Sequence, residues 1–305
     1  MTLMQDDYMS DNPIINVVND AIADATGTPF ITKKIRSVSG GDINVASIIT
    51  SENRSFFLKT NTSAYDDMFS AEFDGLVELR KASLIKAPEP ICYGEAKAQT
   101  FLVLENMMLG GGDKISGSVF GRQLACLHQV TANQFGWFRN NRIGSTRQIN
   151  NYSNTWIDFY RENRLQYQLS LAAEQGFKGE LQQLGDRLCE NLDVFFSNYQ
   201  PYPSLLHGDL WSGNFGYCVT HGEPVIFDPA VYYGDRETDI AMTELFGGFP
   251  VSFYEAYEEV LPLDEGYVVR KDLYNLYHML NHLNLFGRGY YARSISLIKQ
   301  LLSQV

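Results

Sequence analysis

Apolar residues first recur at helical spacing, over Ile14, Val17, Val18, Ala21 and Ile22, with Asn12 as a cap, Pro13 at the first helical position and Gly27 as a terminator. The character then changes to strand. Runs rich in Ile, Val, Phe and Thr at Phe30 to Val38, Ile43 to Thr50 and Ser55 to Thr60 predict three strands. Ser39-Gly40-Gly41-Asp42 and Ser51-Glu52-Asn53-Arg54 join them. A helix is predicted from about Ala64 to Ala82 on the stripe Met68, Phe69, Phe73, Leu76 and Leu79, followed by strands at Ile91 to Gly94 and Thr100 to Leu104. Beyond Gly110-Gly111-Gly112 the pattern turns helical: a segment through Val119, Leu124, Leu127 and His128, then Trp156 to Leu171, Leu181 to Phe196, Phe253 to Val260, Val268 to Phe286 and Tyr290 to Leu302. These elements predict an α+β chain of two lobes. Residues 1–107 form a small lobe with a five-stranded antiparallel sheet plus helix, and residues 108–305 a larger, mostly helical one.

One stretch interrupts the helical half. Leu205-Leu206-His207-Gly208-Asp209-Leu210-Trp211-Ser212-Gly213-Asn214 sets an Asp and an Asn five positions apart on a loop. A strand, Phe215 to Val219, and a turn, Thr220-His221-Gly222-Glu223, lead to Val225-Ile226-Phe227-Asp228, a short apolar run that ends in a second acid. The arrangement suits phosphoryl transfer from a metal–nucleotide. Asp209 would orient an acceptor hydroxyl and take its proton, while the Asn214 amide and the Asp228 carboxylate supply hard oxygens for Mg²⁺. The spacing matches a kinase catalytic loop followed by its metal-binding Asp. Asp, Ser, Gly and Asn are also ordinary turn residues, so the assignment needs support from elsewhere in the chain.

Lys59 and Glu72 provide it. Two-residue alternation puts Lys59 on the sheet face opposite Phe56 and Leu58, and Glu72 falls on the apolar stripe of the next helix, where a carboxylate is costly without a cation. Taken singly they read as a snorkelling lysine and a half-exposed glutamate. As a pair, on the third strand and the helix after it, they match the kinase device for positioning nucleotide phosphates. Ser39-Gly40-Gly41-Asp42 fits an ordinary turn and a phosphate-covering loop equally well. Glu105-Asn106-Met107 falls where backbone groups of a hinge would pair with adenine. His128 reads as a hydrogen-bonded core histidine, and Asp239 as a cap or buttress of the helix near Glu237. The polar-aromatic insert from Phe135 to Gln148 fits a substrate wall or an irregular surface loop. Little chain separates Asp228 from the next helix, which favours a small-molecule acceptor over a peptide.

Composition narrows this further. With 305 residues and 45% hydrophobic content the chain is long enough for two lobes. A formal net charge of −12 argues against nucleic acid or an anionic membrane as partner, whereas ATP needs only Mg²⁺ and one or two local cations. Four singly placed cysteines, a polar N-terminus without a signal-peptide pattern, and no apolar run near the ~20 residues of a membrane helix predict a soluble cytoplasmic protein.

With these residues in place, the chain resembles the fructosamine/ketosamine-3-kinase family, in the aminoglycoside-phosphotransferase-like branch of the protein-kinase-like fold. The resemblance rests on His207 to Asn214, Phe227-Asp228-Pro229-Ala230, Tyr233-Gly234-Asp235-Arg236-Glu237 and Phe246-Gly247-Gly248-Phe249-Pro250, and covers nearly the whole chain. It implies an enzyme that uses ATP and Mg²⁺ to phosphorylate the 3-hydroxyl of a ketosamine, after which the adduct decomposes, a deglycating repair. Carried over by position, Asp209 is the catalytic base, Asn214 and Asp228 the metal ligands, and Lys59, anchored by Glu72, the phosphate holder. The nucleotide would lie along Gly40, Gly41, Asp42, Ile43, Asn44, Glu105, Asn106 and Met107. Trp211 would stack on the sugar, and Asp235 would sense the substrate amine. Some relatives carry a redox-sensitive cysteine in the Gly-rich loop; Asp42 stands at that position here, so the switch would be missing. The alternatives are another small-molecule kinase of the aminoglycoside or choline branch, and a nucleotide-binding module without catalysis.

Overall fold

In the computed structural model, residues 13–38, 44–62, 67–112 and 114–305 are described. The predicted loop positions Gly40, Gly41, Asp42 and Ile43 lie outside them. The described residues of Met1–Val77 and Pro88–Met108 form one compact unit, and those of Glu78–Ala87 and Leu109–Val305 a second.

The first unit holds α1 (Pro13–Thr26), β1 (Lys34–Val38), β2 (Val45–Thr50), β3 (Ser55–Thr62), most of α2 (Met68–Ala82), β4 (Pro90–Ala96) and β5 (Gln99–Glu105). The five strands make one antiparallel sheet in the order β1-β2-β3-β5-β4, as expected. Helix α1 buries Ile14, Ile15, Val18 and Ile22 against Phe30, Ile49, Phe56, Leu58, Phe101 and Val103. Full burial of each such side chain contributes roughly 1.5–3 kcal/mol. Ile15 takes the place the pattern assigned to Val17, which is 39% exposed.

The second unit comprises β6 (Leu109–Gly110), α3 (Lys114–Leu127), β7 (Asn141–Ile143), β8 (Thr146–Gln148), α4 (Trp156–Tyr160), α5 (Tyr167–Glu174), α6 (Glu180–Glu190), β9 (Ser204–Leu206), β10 (Phe215–Cys218), β11 (Pro224–Ile226), β12 (Tyr232–Gly234), α7 (Glu237–Leu245), α8 (Val251–Val260), α9 (Tyr267–Phe286) and α10 (Tyr291–Leu302). The sequence boundary at 107 left Glu78–Ala87 in the small lobe. These residues group with the larger unit because Lys86 O accepts from Ile226 N–H (3.0 Å) and Glu78 Oε1 from the Tyr233 hydroxyl (2.8 Å).

Two pairings position the loop after β9. Strand β9 runs antiparallel to β12, with Leu206 opposite Tyr232. The β10–β11 hairpin sets Phe215 opposite Ile226, so Asn214 and Phe227 meet and Phe227 N–H donates to Asn214 O at 3.0 Å. Behind the hairpin, Phe120 of α3 lies against Phe215, Phe249 and Phe253. That packing needs α3 and α8 in backbone contact: a Cβ on Gly121 would fall 2.1 Å from Phe253 O.

The predicted Trp156 to Leu171 helix differs in one respect. Between α4 and α5 a π-helical turn spans Arg161–Gln166, an irregularity that 3.6-residue periodicity does not reveal.

Candidate active site

The hairpin brings Asp209, Asn214 and Asp228 together. Asn214, 7% exposed, donates from Nδ2 to the backbone oxygen of Asp209 (2.9 Å) and to its Oδ2 (3.1 Å). Both donations fix the amide plane and leave Oδ1 as the acceptor. The Asp209 carboxyl is pushed up to about 7, chiefly by burial and then by the Asp228 charge, with the Asn214 hydrogen bond opposing. Asp228 itself sits at φ +57°, in the left-handed region that few non-glycine residues adopt. Such strain at a carboxylate persists only where the surroundings hold it.

Those surroundings include residues to which the sequence assigned no role, or a different one. Asp239 does not serve its own helix. Its Oδ2 accepts the His207 backbone N–H (2.8 Å) and its Oδ1 that of Gly208 (2.9 Å), so it clamps the start of the loop that carries Asp209. His128 is the core histidine expected: Nδ1 pairs with the Tyr257 hydroxyl (2.8 Å) and Nε2 with Asp239 Oδ2 (3.3 Å). Burial lowers the His128 pKa despite the acid beside it, so the neutral ring donates from Nε2. Burial pushes Asp239 up, yet the hydrogen bonds from His128 and from the Gly208 N–H oppose it and its carboxyl stays low. His207 is likewise neutral, lowered by burial. Its Nε2 donates to Phe227 O (3.0 Å) and its Nδ1 accepts from Asp209 N–H (3.3 Å), tying the loop to the residue before Asp228. Only glycine fits at 208, where φ is +83° and a Cβ would lie 2.1 Å from Ala230 O.

Trp211 is half-exposed on the same loop, its ring over Gly213 and edge-on to Phe246 at 6.2 Å between centroids. An aromatic surface beside Asp209 can stack on a sugar ring. Asp235 cannot sense a substrate amine. It is fully buried, and its carboxylate accepts the hydroxyls of Tyr199 (2.9 Å) and Tyr274 and the N–H of Glu237 (3.0 Å). The sequence expectation is corrected on that point, because every direction around the carboxylate is filled by the interior of the second unit.

In the first unit, Lys59 Nζ and Glu72 Oε1 are 2.6 Å apart, both nearly buried. Lys59 projects from the sheet face opposite Leu58, as alternation requires. Removing one partner of a buried pair typically costs about 3–5 kcal/mol, because the other charge is stranded. Glu72→Ala is therefore expected to lower the unfolding free energy by about that amount, measured by chemical denaturation. Unchanged stability would mean that the pair is solvated. Nearby, Asn44 Oδ1 accepts from Asn61 Nδ2 (2.7 Å). At the end of β5, Glu105 Oε2 accepts Glu89 N–H (3.2 Å) and Asn106 Nδ2 donates to Ser55 Oγ (2.9 Å). With Met107, these residues lead out of the sheet.

The donor set suits Mg²⁺. Among the described residues no three His, Cys, Asp or Glu side chains are placed to hold a metal ion together, which is unlike a zinc site. Mg²⁺ is commonly bound through one or two carboxylates, with water and phosphate oxygens completing its shell.

Comparison with known proteins places the chain in a family. The sequence profile described as Fructosamine kinase matches residues 14–304. A Synechocystis sp. protein named probable ketoamine kinase is 45% identical over 92% of this chain and 94% of its own length. The chloroplastic protein-ribulosamine 3-kinase of Arabidopsis thaliana is 44% identical over 88% and 82%. A Haemophilus somnus 129PT crystal structure with the provisional name fructosamine-3-kinase superposes with a TM-score of 0.85, at 32% identity over 93% of this chain and 96% of that one. At 13% identity, ADP-bound aminoglycoside phosphotransferase APH(2'')-Ib shares the fold, with a TM-score of 0.63 over 96% and 98%. The chain belongs to the fructosamine kinase family.

Proposed function

We propose that this chain transfers the γ-phosphoryl group of ATP to the sugar 3-hydroxyl of ketosamines, marking glycated amines for decomposition. The observation that carries the chemistry is the Asp209–Asn214 amide contact, made within one hairpin that also ends in Asp228. Asp209 accepts the proton of the attacking hydroxyl. Trp211 stacks on the sugar. Asn214 Oδ1 and the Asp228 carboxylate hold Mg²⁺, which when bound neutralises phosphate charge. Lys59, fixed by Glu72, orients the phosphates, with Asn44, Glu105, Asn106 and Met107 on the nucleotide path. In this reading the first unit is the nucleotide lobe and the second the catalytic lobe.

The names of the relatives support the ketosamine. The short segment from Asp228 to α7 supports an acceptor whose reacting end is a small molecule. A cytoplasmic setting belongs to the same proposal, supported by four free cysteines. An ADP-release assay over glycated amines, free sugars, choline and aminoglycosides tests the assignment. Turnover confined to ketosamines is expected; turnover of an aminoglycoside with none of any glycated amine would overturn it.

A further inference from the structure

The insert between α3 and α4 is neither a loose surface loop nor a bare wall. Asn141, Gln148 and Asn150 are each at most 3% exposed. They form an amide cluster centred on Asn141 Oδ1, which accepts from Gln148 Nε2 (2.9 Å) and Asn150 Nδ2 (3.0 Å). The cluster reaches the turn after Asp228. Asn141 Nδ2 donates to Val231 O (2.7 Å) and Gln148 Nε2 to Ala230 O (3.1 Å). Ala230 and Val231 are buried and belong to no strand, so without these donors the two carbonyls would lack those partners. From the other side, Ala230 N–H donates to His207 O (2.8 Å), and further along Gly136 exchanges two hydrogen bonds with Tyr233.

Arg164 anchors the cluster from behind. It lies in the π-helical turn, with its side chain fully buried. Its Nη2 donates to Asn150 Oδ1 (2.9 Å) and its Nη1 to Ile149 O. The guanidinium is 4.2 Å from the centroid of the Tyr232 ring and 4.7 Å from that of Phe159. Among the described residues no carboxylate lies within ion-pair distance of it. A desolvated cation without a counter-ion is costly, and an apolar side chain would fill that volume without the penalty. What the guanidinium adds is a rigid fork. Its two arms fix Ile149 and Asn150, and through them the Asn141–Gln148 donors.

We infer that Arg164, Asn141 and Gln148 are positioning residues for the Asp228 turn, holding its left-handed backbone so that the carboxylate meets the metal of the nucleotide complex. The inference rests on the proposed reading of Asp228 as a metal ligand. Outer partners that orient metal ligands typically change metal affinity by about 10–100-fold when removed.

The test is Mn²⁺ binding to the ADP complex of the full chain, followed by the electron paramagnetic resonance signal of free Mn²⁺, with the thermal midpoint recorded in parallel. Asn141→Ala and Gln148→Ala are expected to weaken Mn²⁺ by about tenfold or more, with metal-free ADP affinity within about twofold. Arg164→Lys, which keeps the charge and loses the fork, should move the same way. Combined with Gln148→Ala it should weaken binding by less than the product of the single effects. Folded variants that bind Mn²⁺ as the parent does, whatever their thermal midpoints, would overturn the inference. Should an Arg164 variant not fold, the two amide variants decide. The readout needs no acceptor, so a wrong acceptor assignment leaves it standing, whereas a parent chain that binds no Mn²⁺–ADP overturns both.

Discussion

Asp209→Asn is expected to lower turnover by about two to four orders of magnitude, the usual range for a general acid–base group, with nucleotide affinity little changed. Asparagine is nearly isosteric and can still accept from Asn214 Nδ2 through its Oδ1, so the loop should keep its shape. What is lost is the proton acceptor. The same substitution should not destabilise the chain at pH 8. A carboxyl raised to about 7 binds its proton more tightly in the folded than in the unfolded state, so ionisation at higher pH costs folding free energy. Asparagine removes that cost, and the variant should melt no lower than the parent. The sign also sets the pH profile. Asp209 acts as a base only when ionised, so kcat/KM for the nucleotide should fall as pH drops through about 7, by up to about tenfold per unit. The residual activity of Asp209→Asn should lack that limb. Parent-like turnover in the variant would remove Asp209 from the mechanism.

Asp239→Ala should also lower activity strongly, but by another route and with the opposite effect on stability. The carboxylate accepts two buried backbone N–H groups and the His128 ring. Each buried donor left without a partner costs about 1–3 kcal/mol, so the substitution is expected to remove about 4 kcal/mol, a large share of an ordinary folding free energy. Chemical denaturation of the two variants side by side separates the roles. One should be strongly impaired and fully stable, the other strongly impaired and markedly destabilised. If Asp239→Ala unfolds at the parent's midpoint, the clamp on His207 and Gly208 contributes nothing.

What was legible in the sequence was local. Period-two and helical runs set the five strands, the helices and the α+β class, because side-chain spacing alone decides which face a short segment can bury. Asp209, Asn214 and Asp228 could be grouped from the letters since one hairpin joins them, and Lys59 with Glu72 since they are only 13 residues apart. Nothing local distinguishes Asp239 from a helix-start acid or Asp235 from an exposed turn acid. Their partners lie 31 and 39 residues away, and only packing shows that one carboxylate holds the loop that carries Asp209 while the other is enclosed by tyrosines. The same holds for the insert, whose Asn141 meets Val231 across 90 residues, and for Arg164 in a π-helical turn invisible to periodicity. Sequence by itself determined which chemistry this chain carries, since reactive groups are set by residue type and short spacing. Tertiary structure decided which buried groups hold that chemistry in place, because a hydrogen bond between distant segments exists only once the fold has brought them within reach.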